Sequence, residues 1–211
     1  MDGELRALLQ VWEGNASFMP WNLTLALVPL VLGLVLFRRT GRDDRPSWAW
    51  WLGLAAFLAF LPNAPYVLSD VVHLADDVRA TRSDVVVVGV LAQYAAFFLA
   101  GLGAYVLALG ELVRWLRARG WSVGRVLAVE VVVHAACSVG VYLGRVPRFN
   151  SWDLLTRPDA VATTAADHLS DRYPVALVLA TFVVLVMATA VLRSLLGSAW
   201  QAAGRLRQAP A

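Results

Sequence analysis

The fold of this chain is decided at positions 61–74, which read Leu61-Pro62-Asn63-Ala64-Pro65-Tyr66-Val67-Leu68-Ser69-Asp70-Val71-Val72-His73-Leu74. A hydrophobic run that begins at Trp48 stops here, and the stretch holds two prolines, an amide, a phenol, a carboxylate and an imidazole. If Pro65 opens a helix, where its missing N–H costs nothing, the polar side chains share one helical face and the apolar side chains share the opposite face. The polar face is then Tyr66, Asp70, His73 and Asp77, and the apolar stripe is Val67, Val71 and Leu74. Such a helix either lies at the membrane surface with its polar side in water, or carries a functional site.

Composition identifies a membrane protein. Of the 211 residues, 59% are hydrophobic and 16% are charged, whereas about a quarter of the residues in soluble domains are charged. All 18 basic residues are arginine and they are spread through the loops, so they do not form a nucleic-acid patch and we expect no nucleic-acid partner. The net charge of +3 is better explained by arginines that fix membrane topology. Cys137 is the only cysteine, which excludes an intrachain disulfide and a cysteine metal cluster.

Hydropathy predicts an all-α polytopic bundle with about five transmembrane helices and short interfacial helices, in a single integral-membrane domain covering residues 1–211. The predicted spans are 21–37, 48–61, 85–109, 121–144 and 174–197. The second span is short, because fourteen residues reach only about 21 Å of a hydrocarbon core of about 30 Å. Positions 62–66 would occupy the remaining depth, where irregular backbone is tolerated only beside protein or a water-filled cavity. A short, proline-interrupted span points to a binding site, and the alternative is a tilted helix or a thin membrane.

The distribution of arginine predicts the orientation. Ten arginines lie in the two loops and the C-terminal tail on one side of the bundle, and seven lie on the other side. Because cytoplasmic loops are richer in arginine, we expect a cell-membrane protein with its N-terminus outside and its C-terminus in the cytoplasm. The ten arginines are Arg38, Arg39, Arg42, Arg45, Arg114, Arg117, Arg119, Arg193, Arg205 and Arg207.

The third and fourth spans form a hairpin, so the segments that follow the second and the fourth span emerge on the same side of the membrane. This holds whichever way the protein is oriented. The later segment reads Gly144-Arg145-Val146-Pro147-Arg148-Phe149-Asn150-Ser151-Trp152-Asp153. Two polar segments that are distant in the sequence can therefore meet, and we expect them to form one pocket at the extracytoplasmic face.

Together, positions 61–74 and 144–153 resemble an uncharacterised bacterial integral-membrane family, the domain of unknown function thirteen sixty-one. The residues that carry the resemblance are Leu61-Pro62-Asn63-Ala64-Pro65-Tyr66, Asp70, His73-Leu74, Gly144-Arg145, Arg148 and Asn150-Ser151-Trp152-Asp153. The two motifs are specific as a pair and weak separately, and the resemblance covers most of the chain. It implies a multi-pass membrane protein with no established activity, so the chemistry stays open.

A binding or accessory protein is the first functional hypothesis, with a membrane lipid or a membrane-protein partner as the ligand. Arg145 and Arg148 could hold a lipid phosphate through forked hydrogen bonds, or they could pair with Asp70 across the two segments. The candidate binding residues are Asn63, Tyr66, Asp70, His73, Arg145, Arg148, Asn150, Trp152 and Asp153.

A metal-dependent membrane hydrolase or transferase acting on a lipid or phosphate ester is the second hypothesis, so the sequence leaves open whether the protein is an enzyme. Asp70, His73 and Asp153 offer carboxylate and imidazole ligands for a divalent metal such as zinc or manganese. Three ligands and a water would generate a hydroxide nucleophile near neutral pH. In the alternative interpretation Asn150 caps the next short helix and Asp153 stabilises its N-terminus.

A proton-linked transport component is the third hypothesis. It depends on Glu130 and His134, which lie one helical turn apart inside the fourth span. Ionisable groups inside a span are costly and therefore indicate function by default. The alternative is an internal hydrogen-bonded pair that faces neighbouring helices.

Overall fold

The computed structural model describes residues 2–39 and 46–208, and within these ranges every regular element is helical. In chain order the helices are α1 (Asp2–Asn15), α2 (Met19–Arg39), α3 (Trp48–Phe60), α4 (Asn63–Tyr66), a 3-10 helix (Val67–Asp70), α5 (Val71–Ala80), α6 (Asp84–Ala118), α7 (Val123–Arg145), α8 (Asp153–Thr156), α9 (Pro158–His168) and α10 (Arg172–Gln208). Arg42 and Arg45, which contributed to the predicted orientation, lie outside the described residues. The same holds for the side chains of Arg39, Arg205 and Arg207.

Five stretches are long and apolar enough to cross a membrane, which confirms the predicted all-α polytopic bundle. They are Met19–Arg38, Trp48–Ala80, Asp84–Ala118, Val123–Arg145 and Arg172–Leu195. The helices extend beyond two of the predicted spans: the helical path of the second continues past 61 to Ala80, and that of the third continues past 109 to Ala118. Polar side chains on these extensions have partners on neighbouring helices, since Asp77 accepts hydrogen bonds from Asn15 and Tyr94, and Glu111 pairs with Arg38.

Aromatic packing closes the end of the bundle where α2 and α6 finish and α3 begins. The Trp50 ring stacks on Trp115 with 5.0 Å between centroids, and Phe37 meets both rings. Arg38 and Arg114 both pair with the nearly buried carboxylate of Glu111 on α6. This end therefore holds α2, α3 and α6 together, and the polar segments of the sequence lie at the other end.

The second span is broken at its two prolines. Pro62 and Pro65 lack the N–H that would continue the helical hydrogen bonds, although the backbone stays in the right-handed helical region on both sides of α4. Our prediction that Pro65 opens the helix was wrong, because α4 begins at Asn63 and is followed by a 3-10 helix. A 3-10 helix has about three residues per turn and so rotates the side chains that follow it.

That rotation also breaks the predicted division into a polar face and an apolar stripe. Asp70 is 2% exposed although it belonged to the polar face, whereas Val71 of the apolar stripe is 51% exposed. Val67 of the same stripe is fully buried. The carboxylate therefore points into the bundle, where it needs partners from other helices.

Glycines on α6 and α7 make room for the broken segment. A Cβ on Gly101 of α6 would lie 2.9 Å from the Ala64 carbonyl oxygen and closer still to a Val67 methyl group. On α7, a Cβ on Gly140 would lie 2.7 Å from Pro62. Gly101 and Gly140 thus let α6 and α7 pack closely against the broken span.

Candidate functional site

A cavity of about 550 Å³ lies between the start of α2, the break in the second span and the segment that follows α7. Asn63, Tyr66 and His73 line it from the earlier segment, and Arg145 and Arg148 line it from the later one. The predicted meeting of these two distant segments is therefore confirmed. The α6–α7 hairpin brings them together, since it returns the chain to the end of the bundle from which it left.

Asn63 joins the two segments directly. Its Nδ2 donates to the Phe60 carbonyl at 2.9 Å and to Ser151 Oγ at 2.8 Å. The Phe60 carbonyl accepts this side-chain bond at the break, where the Ala64 N–H donates instead to the Leu61 carbonyl. One amide thus caps the break and ties it to the loop after α7.

Asp70 and Arg145 form the ion pair that the sequence predicted as the alternative to phosphate binding. Arg145 Nη1 lies 3.5 Å from Asp70 Oδ1, and the Arg145 side chain remains 32% exposed at the cavity. Asn22 Nδ2 donates to the other carboxylate oxygen at 2.8 Å. Asp70 therefore has a partner on each oxygen, although it does not itself line the cavity.

Arg148 has the most unusual backbone at the site. Its φ of 63° lies in the left-handed region, which a residue with a branched or long side chain seldom adopts. The Phe149 N–H donates to the Leu143 carbonyl at 3.1 Å, so the chain folds back over the end of α7. Arg148 lines the cavity, is exposed, and makes no hydrogen bond or ion pair with the described part of the chain.

Asp153 stabilises the loop that contains Arg148. Its Oδ2 accepts from the Asn150 N–H at 2.7 Å and its Oδ1 accepts from Arg157 Nη2 at 2.7 Å. The Asn150 hydrogen bond, with Arg157 second, holds the pKa of the Asp153 carboxyl below its usual range. The prediction that Asn150 caps the next helix was wrong, because Trp152 precedes α8 and the carboxylate of Asp153 accepts from the backbone of Asn150.

The three predicted metal ligands do not assemble. Asp70 and Asp153 each have an arginine and a further donor as partners, and His73 is exposed with its ring 4.8 Å from the ring of Phe18. His168, which could have joined them, meets Tyr142 Oη at 2.8 Å instead. Across residues 2–39 and 46–208 no three His, Cys, Asp or Glu side chains are grouped so as to hold a metal ion. This geometry does not support a metal-dependent hydrolase, because carboxylates neutralised by arginine are poor ligands for a cation.

Trp152 also lies outside the cavity, contrary to our prediction. It is 47% exposed and immediately precedes α8, whose first residue is Asp153. Of the nine candidate binding residues, Asp70, Trp152 and Asp153 are not in the cavity wall. Asp70 and Asp153 instead bond to other residues of the chain, Asp70 to Asn22 and Arg145 and Asp153 to Asn150 and Arg157.

Glu130 and His134 have partners on neighbouring helices. The Glu130 carboxylate lies 2.5 Å from Arg193 Nη1 of α10, and His134 Nδ1 lies 2.7 Å from Tyr105 Oη of α6. Arg193 therefore lies within the last span and does not belong to the C-terminal tail where we had counted it. Both residues therefore bond to side chains of neighbouring helices, and these contacts by themselves support packing.

The contribution of α2 to the cavity was not predicted from the sequence. Trp21, Asn22 and Leu25 in its first two turns line the cavity. The sequence does contain a polar residue here, since Asn22 is an amide at the start of an otherwise apolar span. The sequence does not show that its partner lies on a distant helix.

A second missed group holds α5 in place. Asp77 Oδ2 accepts from Asn15 Nδ2 at 3.1 Å and from Tyr94 Oη at 2.9 Å. This network ties α5 to α1 and α6, and α5 carries His73 at the cavity.

A family model described as "Protein of unknown function (DUF1361)" matches residues 21–187. This range includes both polar segments and all five spans except their outermost residues. No curated protein and no solved structure matches the chain.

Proposed function

Because the chain belongs to the DUF1361 family, whose description assigns no activity, we propose a function from the cavity itself: the protein binds the anionic headgroup of a membrane lipid. Arg148 carries the proposal, since its guanidinium lines a cavity between membrane-spanning helices and has no partner in the described part of the chain. Guanidinium groups bind phosphate oxygens through forked, charge-assisted hydrogen bonds.

The size and polarity of the cavity support a small ligand with a polar end. Its volume of about 550 Å³ lies within the range of about 300–1,000 Å³ that is usual for ligand sites. Arg145, Asn150 and Ser151 contribute further polar groups close to Arg148 in the chain. A phosphate could therefore receive hydrogen bonds from several directions.

The apolar part of the wall favours a lipid over a soluble anion. Leu25, Leu143, Leu154 and Val161 line the cavity together with the arginines. An inorganic or sugar phosphate would leave this apolar surface uncovered, whereas the first carbons of an acyl chain would bury it. The ligand of the proposal is thus a phospholipid that enters from the bilayer.

The site is proposed to face the extracytoplasmic side, with the N-terminus outside and the C-terminus in the cytoplasm. The excess of arginine at the opposite end of the bundle supports this orientation. A reporter fused to the C-terminus, active only in the cytoplasm, tests it, and activity of the same reporter only outside the membrane would reverse the assignment.

Native mass spectrometry of the detergent-purified protein, titrated with phosphatidylglycerol, tests the lipid proposal. We expect Arg148→Gln to weaken binding at least about tenfold, since a hydrogen bond to a charged group contributes about 1.5–3 kcal/mol. Arg172→Gln is the matched control, because Arg172 is exposed at the start of α10 and is not in the cavity wall. It should leave binding unchanged.

Two results would overturn the proposal. Equal losses in Arg148→Gln and Arg172→Gln would show that lipid is attracted by general surface charge. Competition by soluble glycerol phosphate at the same concentration as the lipid would show that the apolar wall contributes nothing and that the ligand is a soluble anion.

A further inference from the structure

Asp70 lies next to the proposed headgroup site and removes one positive charge from it. The carboxylate is 2% exposed and is held from behind by Asn22 at 2.8 Å. It therefore cannot turn away into solvent, and its charge stays beside Arg145. When a headgroup enters the cavity, Arg145 is already paired with Asp70.

Arg145 can still donate hydrogen bonds to a ligand. Its closest approach to Asp70 is 3.5 Å, which is longer than the 2.7–2.9 Å usual for a charge-assisted bond. A guanidinium has five N–H donors, and one carboxylate contact leaves others available. Arg145 thus supplies donors but no net charge, whereas Arg148 supplies donors and one full charge.

Among the described residues that line the cavity, the arginines are Arg145 and Arg148, and no lining residue carries a carboxylate. Asp153, which lies outside the cavity wall, pairs with Arg157 at 2.7 Å. Two guanidinium groups and one fixed carboxylate therefore leave the cavity with one positive charge. A second negative charge on the ligand would leave the ligand, Asp70 and the two arginines with one uncompensated negative charge, which is unfavourable in a partly desolvated site.

Resting on the proposed function, we infer that Asp70 is a specificity-determining residue that selects lipids with a singly charged phosphodiester headgroup. Phosphate monoesters, which carry nearly two charges at pH 8, are disfavoured by Asp70. Headgroups with a compensating cation are disfavoured by Arg148, since that cation would lie beside an arginine without a partner. Phosphatidylglycerol represents the preferred class, and phosphatidate and phosphatidylcholine represent the two disfavoured classes.

Competition among these three lipids at pH 8, measured by native mass spectrometry on the full chain, tests the inference. The wild type should prefer phosphatidylglycerol to both others. Asp70→Asn raises the charge of the cavity by one and should shift the ratio of phosphatidate to phosphatidylglycerol binding at least about tenfold toward phosphatidate. Arg145→Gln lowers the charge by one and should weaken binding of both anionic lipids.

The double variant Asp70→Asn, Arg145→Gln is the decisive control. It returns the cavity to one positive charge and should restore the preference for phosphatidylglycerol, which a general loss of structure would not do. If Asp70→Asn does not fold, Arg145→Gln and the double variant still test whether the charge of Asp70 sets the lipid preference. A double variant with the wild-type preference then supports the inference, and one that prefers phosphatidate contradicts it.

The two proposals fail differently. Wild-type protein that binds phosphatidylcholine as well as the anionic lipids would refute the proposed function. Wild-type protein that binds phosphatidylglycerol and phosphatidate equally, or an unchanged ratio in Asp70→Asn, would refute the role of Asp70 and leave lipid binding intact.

Discussion

Replacing Gly101 with alanine tests whether α6 must make room for the break in the second span. The added Cβ would lie 2.9 Å from the Ala64 carbonyl oxygen and closer still to a methyl group of Val67. Neither neighbour yields easily, because one is backbone and the other is a fully buried β-branched side chain. The strain should therefore push α6 away from α4 and the 3-10 helix that follows it.

The expected loss of stability is the difference between two opposing effects. Overpacking a buried contact costs about 1–3 kcal/mol, whereas alanine in place of glycine favours a helix by about 0.5–1 kcal/mol. The net loss lies between about 0 and 2.5 kcal/mol, and the close approach to a backbone oxygen places it toward the upper end. In a chain of this size each kcal/mol lowers Tm by about 2–4 °C. We thus expect Gly101→Ala to unfold several degrees below the wild type.

Gly103→Ala provides the matched control in the same helix. No atom lies within 4 Å of a Cβ at Gly103, so only the helix-favouring effect remains and Tm should be unchanged or higher. Thermal unfolding in detergent, followed by tryptophan fluorescence, measures both variants. A Tm for Gly101→Ala equal to or above that of Gly103→Ala would refute the close packing of α6 on the broken span.

Three further predictions concern hydrogen bonds and ion pairs around the bundle. Asn63→Ala removes two hydrogen bonds and Ser151→Ala removes one of them, so we expect the first to lower Tm about twice as far; equal shifts would contradict the capping role of the amide. The pKa of Asp153 in the folded protein lies below its ordinary value of 3.8, so its stabilising contribution is complete above pH 3.8 and is lost as pH falls through the folded-state pKa. The difference in Tm between wild type and Asp153→Asn should therefore disappear only at acid pH, and its disappearance near neutral pH would exclude this explanation. Glu130→Leu leaves Arg193 without its carboxylate partner inside the bundle, whereas combining it with Arg193→Leu removes both charges, so the single variant should have the lower Tm; the opposite order would contradict a penalty for leaving Arg193 without Glu130.

Much of the candidate site was predictable because it depends on the parity of membrane crossings. Once α6 and α7 are recognised as a hairpin, Asn63 and Ser151 must emerge at the same end of the bundle. The unusual pair of prolines likewise predicted an interruption of the second span, since a missing N–H breaks a helix in any surroundings. These are properties of chain direction and backbone chemistry, and they do not require a neighbouring helix to be known.

Partner choice was not predictable from the sequence. Asp70 had candidate partners in Arg145, Arg148 and a metal ion, and the structure pairs it with Arg145 and with Asn22. The position of α2 determines the partners of Asp70, because Asn22 in its first turn donates to the carboxylate. Arg148 is then left unpaired by geometry, and its availability for a ligand follows from that tertiary arrangement.

Hydropathy and crossing parity act along the chain, so residue order alone predicts the membrane class, the five spans and the end of the bundle at which the polar segments meet. The side chains around the cavity, the charges that cancel and the end of the second helical path depend instead on how the helices pack. Those outcomes depend on distances of a few ångströms between helices, and hydrogen bonds and ion pairs form or fail over that same range.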